Sequence, residues 1–121
     1  MADEKESGAI DERGRTPVEF DLESYRFRNT HRSIGGIINT SFSLVGITTR
    51  QHALELETMV ERRKQRIKDA VVSSIRSASL DELEDPELVM VQKRLLLVVN
   101  RVLGEPLLKE VLVTDFQCVI E

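Results

Sequence analysis

Two histidines and one cysteine are the side chains with which this 121-residue chain would do nucleophilic or metal chemistry. A catalytic triad needs a Ser or Cys, a base and an orienting acid that converge in space. His31 falls in a polar stretch and His52 just ahead of a helical pattern, and neither lies in a nucleophile context. Both read as ordinary surface histidines. Cys118 alternates with Phe116 and Ile120, the setting of a small buried hydrophobe. One cysteine also rules out an intramolecular disulfide and a thiolate cluster, and the paired spacings of zinc sites are absent. Gly35-Gly36 has no Lys-Ser/Thr behind it and reads as a turn rather than a phosphate loop. Asp81, Glu82, Glu84, Asp85 and Glu87 lack the Asx-Gly spacing of a calcium loop. Two adjacent helix starts explain acids there, because the positive helix end favours them. No enzyme site and no cofactor site emerges.

The strongest charge feature is a basic run, Arg62, Arg63, Lys64, Arg66 and Lys68, five cations in seven residues. Such a run grips phosphates, an anionic surface or an acidic partner, or it is simply a solvated helix face with ion pairs of about 0.3–0.5 kcal/mol each. Nucleic acid is disfavoured. Seventeen Lys plus Arg stand against twenty-one Asp plus Glu, net −4, and four Phe with one Tyr leave little for base stacking. A protein partner is the favoured use of the run, with an acidic partner for a cytoplasmic adaptor as one reading.

The elements that position these residues follow from periodicity. Residues 1–16 hold five acids, three bases and almost nothing to bury, so they read as a disordered charged tail ahead of a domain at 17–121. Val18, Phe20 and Leu22 alternate, then Tyr25 and Phe27 after a phase shift near Ser24, which fits a bulged strand. Asn29 to Ser33 reads as a turn. Ile37 to Thr49 reads as a second strand, with Ile38, Phe42 and Leu44 on one face, Val45 and Ile47 on the other, and a change of phase at Gly46.

From about Gln51 the period becomes helical, with Leu56, Val60, Ile67, Val71 and Ile75 on one side. A helix of about 26 residues would reach about 39 Å. Arg63 and Lys64 interrupt its apolar stripe, so its first half is expected to project beyond the core. Ser79 to Glu82 has the spacing of a capping box, and Asp85-Pro86-Glu87 reads as a second start with Asp85 as N-cap. The next helix carries Leu88, Val91, Leu95, Val98 and Val102 on a core stripe and stops at Gly104. Val111 to Ile120 is a third strand with Leu112, Phe116, Cys118 and Ile120 facing inward. The fold class is α+β: a small antiparallel or mixed sheet of about three strands, with a long helix and a core helix on one face.

From about residue 37 to the end, the chain resembles the soluble domain of the flagellar basal-body-associated FliL family. The resemblance rests on Arg66-Ile67-Lys68-Asp69-Ala70-Val71-Val72, on Ser79-Leu80-Asp81-Glu82-Leu83, on Asn100-Arg101-Val102-Leu103, and on Val111-Leu112-Val113-Thr114-Asp115-Phe116. It implies a stomatin-like fold, no catalysis, no cofactor, ring-like self-assembly, and partnership with flagellar stator subunits in motility. It also implies an inner-membrane protein with this domain in the periplasm. The chain itself shows no apolar run of membrane-spanning length and no secretory signal pattern at its start, which reads as soluble and cytoplasmic.

Overall fold

The computed structural model of the protein describes residues 15–31 and 36–120. Three antiparallel strands form one sheet in the order β1 (Pro17–His31), β2 (Gly36–Thr49), β3 (Glu110–Ile120). Four helices connect β2 to β3: α1 (Ala53–Arg62), α2 (Lys64–Ser77), α3 (Leu80–Glu84) and α4 (Val89–Leu103). The architecture is α+β, as the periodicity predicts. The expected charged tail falls almost wholly on residues 1–14, outside the described residues.

β2 is the central strand, and its inward side alternates without interruption. Ile38, Thr40, Phe42, Leu44, Gly46 and Thr48 are all buried. The expected change of phase at Gly46 does not occur. Gly46 is instead a slot on the inward face, where an added Cβ would lie 2.6 Å from Leu108 Cδ2 and 3.0 Å from Leu22 Cδ1. The phase shift in β1 is real: the register slips between Asp21 and Ser24, with Glu23 at φ +78°. This bulge keeps Leu22 and Tyr25 both on the core side. Asn29 to His31 continue β1, pairing with Ile38 to Gly36, so the strand runs further into the expected turn than composition indicates.

β3 carries a bulge that its sequence conceals. Its register slips opposite Ser41 and Ser43, with Asp115 at φ +53°. Before the bulge Val111 and Val113 pack inward, and after it Phe116 does. Leu112, expected inward, pairs with Val45 on the open face of the sheet, because the extra residue inverts the parity of the first half. Phe42 then meets an aromatic from each neighbouring strand: Tyr25 stacks at 5.2 Å and Phe116 lies at 6.0 Å, with Phe27 edge-on at 6.2 Å. Such pairs add about 0.5–1.5 kcal/mol each beyond area burial.

The long helix expected from Gln51 is two helices. Arg63, at φ −117° and ψ 24°, leaves helical geometry and re-aims the chain. The first half does not project: Leu56 is fully buried, and Met59 and Val60 pack against the core. α2 contributes Ile67, Val71 and Ile75. On α4 the buried stripe is Val91, Leu95, Val99 and Leu103, preceded by Leu88, while Val98 and Val102 flank it half-buried. Successive steps of four, rather than a shift to 98 and 102, keep the stripe on the core side, where α4 packs against α2 and β3. Gly104 ends the helix at φ +84°, its N–H reaching the Asn100 and Arg101 carbonyls.

Two local starts differ in outcome. Ser79 and Glu82 make the full capping box: the Glu82 N–H donates to Ser79 Oγ (3.2 Å) and the Ser79 N–H to Glu82 Oε1 (2.9 Å). Asp85 is not the N-cap of α4. Leu88 holds that position at φ +51°, and the helix begins at Val89. Asp85 instead gathers the N–H groups of Glu87 and Val89 on its carboxylate (3.1 and 3.0 Å) and that of Leu88 on its carbonyl (3.0 Å). An Asp and a Pro so placed fit a tight turn as well as a helix start, and here the turn wins.

Candidate interaction surface

The five cations of the basic run do not form one face. Arg63 turns inward and donates from Nη1 to the Val102 carbonyl at 2.6 Å, closing the carboxyl end of α4. Lys64 and Lys68 both reach Glu23 at the β1 bulge, at 3.0 and 3.4 Å. This pairing holds the Glu23 carboxyl below its ordinary range, with the Lys64 hydrogen bond the largest cause, and raises Lys64. Arg62 and Arg66 are exposed and make no hydrogen bond or ion pair among the described residues. The sequence gives no hint of the division, because Glu23 lies some forty residues upstream on a strand.

Further along α2, Arg76 lies over the Phe27 ring, 5.5 Å from its centroid, and donates to the Arg28 carbonyl at 3.2 Å. α2 therefore runs beside β1, and long cationic side chains cover that sheet edge. Charged side chains on an edge are a standard defence against unwanted strand pairing.

The opposite edge is different. Under the second half of β3 lies a groove of about 540 Å³, walled by Leu80, Leu83 and Leu88 and by Phe116, Cys118 and Ile120. Glu84, Asp85 and Pro86 form its rim. α3 is fixed there by a two-pronged pair in which Arg94 donates to both Glu82 oxygens, at 3.1 and 2.7 Å. That pairing, chiefly the Arg94 hydrogen bonds, lowers the Glu82 carboxyl and raises Arg94. The sequence marks Glu82 as a capping residue and gives no signal for Arg94 as its second partner.

Two further side chains, Gln92 and Asn100, also organise this side. Gln92 Oε1 accepts the Val113 N–H at 2.8 Å, taking up one outward amide of β3. Asn100 clamps Leu108 through both its backbone groups, at 3.1 and 3.0 Å, and so sets where β3 begins.

The residues weighed for chemistry stay apart. His52 holds the N-cap position of α1, with no side-chain hydrogen bond to the helix. His31 ends β1, and its side chain lies outside the described residues. Burial pushes the Cys118 thiol up, which disfavours the nucleophilic thiolate. Tyr25 is pushed up to about 12, mainly by burial, with the Glu23 charge adding to it. Among the described residues no group of three or more His, Cys, Asp or Glu is placed to hold a metal. Among them, too, no helix is long and apolar enough to cross a membrane.

What the arrangement offers is surface: a cation-lined edge, an acid-rimmed apolar groove, and a sheet whose second face carries no helix among the described residues. No curated protein matches the chain. The family model of flagellar basal body-associated protein FliL matches residues 35–118, a span from the start of β2 to the end of the core of β3 and more than half of the chain. The protein belongs to the FliL family of flagellar basal body-associated proteins.

Proposed function

We propose that this protein is a non-catalytic accessory of the flagellar basal body that self-assembles beside the stator units and supports motility. The family match over residues 35–118 carries the reading. The structure is in keeping with it. The polar side chains of the described surface are spent on tying elements together, as in Arg94–Glu82, Asn100–Leu108 and Gln92–Val113, rather than on converging at a reaction centre. Both edges of the sheet are surface, and each is chemically distinct. A chain built this way acts by binding.

Co-purification from native cells is the test. Tagged protein should bring down stator subunits and further copies of itself from detergent extracts. Recovery of the tagged chain alone, as a monomer, would remove the assembly and the stator partner together. An adaptor docking an acidic partner through the whole basic run is less well supported, because Arg63, Lys64 and Lys68 are already engaged within the chain.

A further inference from the structure

β3 is an edge strand, because among the described residues the sheet order β1-β2-β3 ends on it. Its first half is closed: the Val113 N–H points away from β2 and donates to Gln92 Oε1. Its second half is open. With Val113 turned outward, Thr114 exchanges backbone bonds with Ser43, and two residues along β2 Gln117 does so with Ser41. Cys118, and by alternation Ile120, therefore present N–H and C=O to the free edge. The Thr40 hydroxyl reaches Cys118 directly opposite, as the close side chains of a pair without backbone bonds do.

Three features of this edge specify a ligand. Unpaired backbone groups along a strand are met by another extended strand rather than by a helix. The groove beneath, with Leu80, Leu83, Phe116 and Ile120 in its walls, takes apolar side chains from every second residue of such a strand. Its rim carries Glu84 and Asp85, and Glu84 is exposed with no ion-pair partner among the described residues. The Cys118 thiol, raised first by burial, is raised further by the Glu84 charge, so that charge is felt inside the groove. A basic strand is attracted there and an acidic one repelled. The chain's own segments do not meet these terms. Residues 1–14 hold five acids against two bases, and the whole chain is net −4. The other edge, β1, is already covered from α2, by Lys64 and Lys68 at Glu23 and by Arg76 at the Arg28 carbonyl.

We propose that the open half of β3 and the groove beneath it take up an extended, alternately apolar segment of another protein, flanked by lysine or arginine, as a fourth strand of the sheet. The inference rests on the binding role proposed above and deepens it by naming the chemistry of one partner segment.

The probe is a synthetic peptide of about ten residues, valine alternating with threonine between lysine ends. Titrated against the full chain, it should bind saturably. Amide exchange should then slow at Cys118 and Ile120, while Gln117 and Val119, already bonded to β2, change little. The same peptide with glutamate ends should bind at least about ten-fold more weakly at low salt, a gap that narrows at high salt. Glu84→Lys, at an exposed position, should narrow it too, with an unchanged circular dichroism spectrum. Proline in place of a central valine removes a strand donor and should abolish binding. Absence of saturable binding, equal binding with either end charge or with the proline, or unchanged exchange at Cys118 and Ile120 would overturn the proposal. So would slow exchange at those two amides before peptide is added. Independent of concentration, it would mean that the chain fills its own edge; growing with concentration, that a second copy does. Each of these leaves the flagellar reading standing, since that reading fails on co-purification instead.

Discussion

At the scale of single residues, the basic run shows how little a charge count says about a charge's task. Arg63 and Arg66 are three positions apart and chemically identical. One closes the end of α4 at the Val102 carbonyl, and the other faces solvent. Removing a charged hydrogen bond from a half-buried site costs about 1.5 kcal/mol, whereas an exposed unpaired side chain is worth less than about 0.5 kcal/mol. Arg63→Ala should therefore lower the urea midpoint clearly with m unchanged, and Arg66→Ala should leave it in place. Gly46 is a second such position. Its slot is closed by the buried tips of Leu108 and Leu22, so Gly46→Ala should destabilise by about 1–3 kcal/mol through overpacking, read from the same titration. Titration supplies a third expectation. The Glu82 carboxyl is held below its ordinary value of 4.5, first by Arg94. A lowered folded-state value means stability present above 4.5 and lost as the pH falls from there through the lowered value. Glu82→Gln should flatten that acid limb in thermal melts, and an unchanged limb would show that the pair contributes nothing.

At the scale of elements, periodicity located each strand and each helical stretch among the described residues, but it ran two helices together across Arg63 and misjudged where the phase changes. The β1 bulge was legible because Leu22 and Tyr25 are both large and apolar, leaving a visible slip in the pattern. The β3 bulge was not, since Leu112 and Val113 are interchangeable to the eye, and only Asp115 at φ +53° decides between them. The break at Arg63 was invisible for a related reason. Arginine, lysine and glutamine are good helix formers, so propensity runs straight through a junction that tertiary contacts impose. Hydrogen exchange should report the resulting hierarchy. Central β2 should hold the slowest amides, because both its neighbours must leave before it opens. On β3, Val113 should be slow only through Gln92, so Gln92→Ala should speed that amide selectively with little change in global stability. Equal protection in the variant would dissociate Gln92 from the edge.

At the scale of the whole molecule, the candidate surface was half legible. The sequence displays the cations of α1 and α2 and the acids around α3, but it cannot show that those acids rim a groove under β3. Nor can it show that Glu23, far upstream, absorbs two of the five cations. The family signal was distributed over weak local patterns whose order and spacing carried it, and the match to residues 35–118 gathers them. On the function proposed above, activity depends on placement beside other flagellar parts, and the cell is where that dependence shows. The most direct test is motility of cells lacking the gene, scored on soft agar and on swarming plates and complemented in trans. The account predicts impaired motility, restored by the intact gene. Undiminished swimming and swarming without the gene would contradict it.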